Sequence, residues 1–314
     1  MDRPSEELLG EKVGGRFVIG EFVAGGSFGS FHFGTDCQTQ TKVAIKLESK
    51  ESLQPQLHIE YMNYSILGRA QFIPIVHYFA PCGRNESWNA LVMDLLGPSL
   101  SHIREKCGGT FTVQTTINLM IQLLNIFEFV HLHGILYRDI KPENFLLGMS
   151  NNNYWSRVHL IDLGFCKRFI DSHNRHIPYV EGKLMAGTQR YVSVNNHLGR
   201  ELGRRDDLEA LLYMIIFLHK GQTPWQGLQG TVLEKSRQMV KIKLEITPQD
   251  LCSSMPPEFA SFAKYVRRLQ FAEMPRYREW WNRFRLRLGS MGFSSYEDHY
   301  LDWDRSHNSR NNLR

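Results

Sequence analysis

Apolar and polar residues change their rhythm about a third of the way along the chain. In the first part they alternate in short steps, as half-buried strands do. Residues 17–23 are apolar-rich and run into a glycine cluster. Phe31 and Phe33 alternate with Ser30, His32 and Gly34, and Val43 and Ile45 alternate with Ala44 and Lys46. Apolar runs at 73–79 and 90–96 predict two more strands around a turn at Pro81-Cys82-Gly83. Leu57–Leu67 predicts a helix that stops at Gly68. After Gly97-Pro98 the spacing turns helical: Ile117, Met120, Ile121, Leu124 and Phe127 lie on one face, and Gly134 is a stop signal. Further helices are predicted at 208–219, 259–269 and 277–288. The order predicts an α+β chain of two lobes with a cleft between them: an extension (1–15), a small strand-rich lobe (16–96), a larger helical lobe (97–300) and a polar tail (301–314), frayed from about Ser306.

Composition narrows the class. The 314 residues are 42% apolar, enough for a large core, and 22% charged, which excludes a disordered composition. The formal charge of +5 favours acidic partners and says nothing about fold. Cys37, Cys82, Cys107, Cys166 and Cys252 are odd in number and widely spaced, with no C-x-x-C pair, so neither a disulfide framework nor a zinc site is indicated. The first seven residues contain no apolar run, and Asp2 follows Met1, so neither a signal peptide nor N-myristoylation is expected. The most apolar stretch, 208–218, is too short to cross a bilayer. A cytoplasmic protein is expected, with a nuclear share possible in principle.

Chemistry enters with the glycine cluster Val23-Ala24-Gly25-Gly26-Ser27-Phe28-Gly29-Ser30-Phe31. Glycines let a strand turn bring backbone N–H groups over phosphates. The cluster departs from G-x-G-x-x-G, because Ala24 stands at the first glycine position. In Val43-Ala44-Ile45-Lys46 a lysine in an alternating strand ordinarily faces solvent. The functional reading puts Lys46 on the α- and β-phosphates, supported by a carboxylate such as Glu60 of the following helix. The decisive string is Tyr137-Arg138-Asp139-Ile140-Lys141-Pro142-Glu143-Asn144, which matches H-R-D-x-x-x-x-N except at Tyr137. Phosphoryl transfer needs positioning and charge neutralisation. Asp139 would take the proton of an attacking hydroxyl, Lys141 would meet the transferring phosphoryl, and Asn144 would hold a metal. Ile161-Asp162-Leu163-Gly164 follows, where Asp162 would chelate Mg²⁺ and Leu163 replaces the usual Phe. These pieces occur in the order a protein kinase requires. The βαβ units of a Rossmann dehydrogenase are absent from the first half.

Residues 15–300 resemble the casein kinase I family. Leu95-Leu96-Gly97-Pro98-Ser99-Leu100 is similar to its hinge, which implies Met93 as gatekeeper and Leu96 beside the nucleotide. His176-Ile177-Pro178-Tyr179 and Gly187-Thr188-Gln189-Arg190-Tyr191 resemble its activation segment. Ser193-Val194-Asn195 resembles the S-I-N that replaces A-P-E. Arg204-Arg205-Asp206-Asp207-Leu208-Glu209 and Pro224-Trp225-Gln226-Gly227-Leu228 add to the likeness, which leans toward the gamma and fungal plasma-membrane types.

The resemblance implies a bilobal protein-kinase fold: an antiparallel sheet with one key helix in the first lobe and mostly helix in the second. It also implies serine/threonine specificity, ATP and Mg²⁺ as cofactors, a monomer, and acidic or phosphorylated protein substrates. A substrate anion site is implied at Arg190, although the family's partnering lysine aligns with Ser236, flanked by Lys235 and Arg237. A second basic group is implied at Arg138, Lys167 and Lys183. Asp207 is expected to bond the catalytic-loop backbone. The palmitoylated cysteine tail of the membrane-bound types has no counterpart, so no lipid anchor is expected.

Two other readings compete. A pseudokinase would keep this fold without the chemistry, but Lys46, Glu60, Asp139, Asn144 and Asp162 are all present. A basic adaptor for nucleic acid would use residues 264–287, where eight cations stand against two acids among Trp280, Trp281 and Phe284. Aromatics at helical spacing favour a core instead.

Overall fold

The alternating segments form one antiparallel sheet. A computed structural model describes residues 6–26, 29–149, 156–293 and 301–303. Its strands are β1 (Lys12–Val13), β2 (Phe17–Gly26), β3 (Gly29–Asp36), β4 (Lys42–Ser49), β5 (Val76–Cys82) and β6 (Trp88–Asp94), in the order β1-β2-β3-β4-β6-β5. Phe17 and Ile19, then Val43, Ile45 and Leu47, then Ala90 and Val92, share one buried cluster, the period of two that a pleated strand imposes. Helix α1 (Leu57–Leu67) lies between β4 and β5 in the chain.

Two boundaries differ from the sequence expectation. Pro74 has no N–H to donate, and pairing starts at Val76. The strand then continues through Pro81, which the sequence reading placed in a turn. β5 is an edge strand, where a missing donor breaks no ladder bond.

The chain divides into two compact units. The first is Met1–Gly97 with Leu146–Trp155 and His159–Cys166. The second is Pro98–Phe145 with Ser156–Val158 and Lys167–Arg314. The later elements are α2 (Leu100–Lys106), α3 (Val113–Leu132), β7 (Ile135–Leu136), β8 (Phe145–Leu147), β9 (Val158–Leu160), β10 (Lys167–Arg168), α4 (Val194–His197), α5 (Arg204–Lys220), α6 (Val232–Glu245), α7 (Pro248–Leu251), α8 (Pro257–Val266) and α9 (Tyr277–Ser290).

α3 packs against α5 and α9 and forms the core of the second unit. By length and composition it is apolar enough to cross a membrane, but most of its apolar residues are buried inside the protein. Trp280 and Phe284 of α9 are 4% and 0% exposed and pack on Phe262 and Phe259. The cations on the same helix face carboxylates: Arg278 meets Glu128, Arg283 meets Glu279 and Arg287 meets Glu258. The tail from Ser306, read above as frayed, lies outside the described residues.

Candidate active site

In the first unit the glycine cluster is the end of a hairpin. Ala24 pairs with Phe31, Gly25 with Ser30 and Gly26 with Gly29. Val23, Ala24 and Gly25 are exposed, and Gly29, Ser30 and Phe31 are half-buried. Ser27 and Phe28 lie outside the described residues. Gly29 has φ of 122°, and a Cβ there would stand 2.0 Å from the Leu47 carbonyl oxygen. No side chain fits at that position. Ala24 pairs with Phe31 just after a register shift in the β2–β3 ladder, and its side chain is exposed.

Lys46 projects from β4 between two carboxylates. Its Nζ donates to Glu60 Oε2 at 2.6 Å and to Asp162 Oδ1 at 3.2 Å. Burial works against the ammonium, but Glu60 and Asp162 together hold its pKa above the usual lysine range. Lys46 is therefore a fixed cation.

Helix α1 aims Glu60 inward. Its N-terminal amides are capped from β4, where Glu48 Oε1 accepts from the N–H groups of Gln56 and Leu57 at 2.6 and 3.1 Å. One turn after Glu60, Asn63 donates to the Leu163 carbonyl at 2.9 Å and anchors the Asp162-Leu163-Gly164 segment. Asp162 sits at φ 58°, a left-handed conformation that a non-glycine residue adopts only when its surroundings enforce it. Met93 is buried in β6, paired with Ala44, and Leu96 beyond it is half-buried.

In the second unit the chain leaves β7, passes Tyr137 and reaches Arg138 at φ 70°. Tyr137 is fully buried against Phe127 and Phe145. The bend is held by Asp207 of α5, whose carboxylate accepts from the N–H of Tyr137 at 2.7 Å and of Arg138 at 2.9 Å. His131 Nε2 donates to the same carboxylate at 2.9 Å, and Tyr277 hydroxyl bonds the other ring nitrogen. The turn thus presents Asp139, which is 2% exposed.

Asp139 has partners on both oxygens. Oδ1 accepts from Thr188 Oγ1 at 2.9 Å. Oδ2 accepts from Lys141 Nζ at 2.6 Å and from Asn144 Nδ2 at 3.3 Å. Asn144 Nδ2 also bonds the Asp139 carbonyl at 3.0 Å, so its own Oδ1 has no bond among the described residues. Gly187 permits the approach of Thr188: a Cβ there would lie 2.3 Å from the Arg138 carbonyl oxygen.

The candidate anion residues are all in the second unit. Arg190 lies over the Phe217 ring at 4.9 Å, and its carbonyl accepts from Trp225 Nε1 at 2.7 Å. Lys235 is half-buried on α6. Lys167 and Lys183 share Glu201, at 2.7 and 3.6 Å. The bend at Arg138 places that residue directly before Asp139. Sequence reasoning missed Thr188, Asn63 and Glu48 as site-forming residues. Of these only Thr188 had a signal, its place in the Gly187-Thr188 string.

A family model for the protein kinase domain matches residues 17–276, more than half of the chain. The chain belongs to the protein kinase family. That family generally uses ATP and Mg²⁺ and acts on protein substrates. The six-stranded antiparallel sheet with helices is its α+β fold.

Lys46 offers a test of this kinase that needs no turnover. Lys46→Met removes a fixed cation that would face nucleotide phosphates. A charge-assisted bond is worth about 1.5–3 kcal/mol, so ATP affinity should fall roughly 10- to 100-fold by calorimetric titration. Unchanged affinity would remove Lys46 from the nucleotide site.

Proposed function

We propose that the chain is an active serine/threonine kinase of the casein kinase I type, favouring acidic or already phosphorylated protein segments. The observation that carries this reading is the Asp139 carboxylate, fixed by Lys141, Asn144 and Thr188. A scaffold has no use for an acid held so completely. A hydroxyl oxygen of the substrate attacks the γ-phosphorus, and the bond to the β–γ bridging oxygen breaks to release ADP. Asp139 orients the hydroxyl and accepts its proton. Lys46 holds the α- and β-phosphates, and Lys141 meets the transferring phosphoryl.

Asp162 and Asn144 offer hard oxygen donors, which suit Mg²⁺. Asn144 Oδ1 has its acceptor capacity free among the described residues. Bound Mg²⁺ supplies charge neutralisation along the phosphates. The acidic preference rests on Arg190 and Lys235, and on Lys167 and Lys183, two cations sharing one carboxylate.

The test is a panel of serine, threonine and tyrosine peptides with neutral, acidic or phosphorylated flanks, offered with ATP and Mg²⁺. Label should enter serine and threonine, and anionic flanks should improve kcat/KM about tenfold, as one charge-assisted contact allows. Arg190→Ala should erase that advantage. Equal losses on neutral and anionic peptides, or label on tyrosine, would count against the reading.

A further inference from the structure

A buried lysine that no step above uses lies beneath the segment carrying Thr188 and Arg190. Lys243 of α6 is 1% exposed. Its Nζ donates to the Val192 carbonyl at 2.7 Å and lies 3.1 Å from His197 Nε2, the last residue of α4. The rings of Trp225 and Tyr213 flank it at 4.7 and 4.9 Å. Among the described residues no carboxylate pairs with it directly. Glu209 of α5 supplies negative charge nearby, but that carboxylate bonds the Val194 N–H and the Tyr213 hydroxyl.

An ammonium is expensive to bury without an ion-pair partner. Burial pushes the Lys243 pKa down to about 7 and that of His197 to about 3. The ring is therefore neutral, with Nε2 able to accept from Lys243. Its Nδ1 lies 3.4 Å from Ser236 Oγ, also on α6, and the ring meets the Gln189 backbone.

What the buried group holds is a single turn. The Thr188 carbonyl accepts from the N–H groups of Tyr191 and Val192, Trp225 takes the Arg190 carbonyl, and Lys243 takes that of Val192. The next residue, Ser193, caps α4 and bonds Asp206. The Lys243 Nζ thus ties both sides of the cap, at Val192 before it and at His197 after it.

We propose that Lys243 is a positioning residue for protein substrate, clamping Val192 and His197 so that the Thr188–Val192 turn keeps Thr188 on Asp139 and Arg190 in place. The consequence for turnover rests on the kinase reading above. The clamp itself does not. Loss of the clamp should loosen the turn and weaken peptide binding, and leave the nucleotide residues Lys46, Glu60 and Asp162 untouched.

The experiment compares wild type with Lys243→Met, which keeps length and packing and removes the donor. Hydrogen exchange is read by peptide across 186–199, α1 and α3, and KM is measured for ATP and for an acidic serine peptide. Exchange across 186–199 should rise about tenfold with α1 and α3 unchanged, and peptide KM should rise about tenfold with ATP KM within about twofold. His197→Gln, which leaves the Val192 bond, should shift both in the same direction by less, and carries the comparison if Lys243→Met does not fold. Exchange that is unchanged at 186–199, or raised everywhere together, overturns the clamp, as does an ATP KM that rises with the peptide KM. A wild type that transfers no phosphate defeats the proposed function alone, because the exchange measurement still decides the role of Lys243.

Discussion

Asp139→Asn should lower kcat by roughly 10²- to 10⁴-fold, the usual contribution of a positioned proton acceptor, with ATP affinity little changed. The substitution is nearly isosteric, so the main losses are a charge and an acceptor. In the wild type Oδ1 takes the Thr188 hydroxyl and Oδ2 takes Lys141 and Asn144. An amide in that place can keep its oxygen on Lys141 and Asn144 and turn its N–H to Thr188, whose hydroxyl can accept. Rates should be read under single-turnover conditions, where product release does not mask chemistry. The melting temperature should move little, because the amide leaves Thr188, Lys141 and Asn144 each with a partner. Equal kcat for variant and wild type would remove Asp139 from the chemistry.

The second large effect is on the fold beneath that residue. Asp207→Ala strips the acceptor from the N–H groups of Tyr137 and Arg138 and from His131 Nε2, all in buried or partly buried surroundings. Each unsatisfied buried donor costs about 1–3 kcal/mol, so the three together give a destabilisation of roughly 3–9 kcal/mol. At about 2–4 °C per kcal/mol for a chain of this class, the melting temperature should fall by on the order of 10 °C. Activity should fall further than the unfolded fraction explains. Arg138 at φ 70° loses the bond from its N–H to Asp207, and Asp139 follows it in the chain. Asp207→Asn, which keeps one acceptor, should fall between the two. A melting temperature within a degree or two of wild type would show that the bend holds without α5.

How much of this the sequence disclosed depends on how local each interaction is. Asp139, Lys141 and Asn144 lie within one short string, and their mutual bonds need no tertiary information beyond a tight turn. Helix α1 was legible to the residue, because Gly68 ends it at φ 62°. Its cap was not. Glu48 belongs to the preceding strand and meets the helix only after folding.

α5 was read as starting at residue 208, where the apolar run begins, yet its first turn is Arg204 to Asp207. The available signal was Asp206, whose carboxylate accepts from the Gly203 N–H at 2.8 Å. α6 was missed because its pattern is inverted. Val232, Leu233 and Leu244 are exposed at 78%, 60% and 61%, whereas Lys243 faces inward. In Lys241-Ile242-Lys243 nothing separates a solvated charge from a buried clamp. The strands β7, β8 and β10, of two or three residues each, are too short for any period to register.

The most direct test of the central claim is transfer from γ-labelled ATP with Mg²⁺ to an acidic serine peptide, for wild type, Asp139→Asn and Asp162→Asn at equal folded concentration. The account predicts label on serine with wild type and a loss of about 100-fold or more with either variant. Label that accumulates equally with all three proteins, or with none, would contradict it.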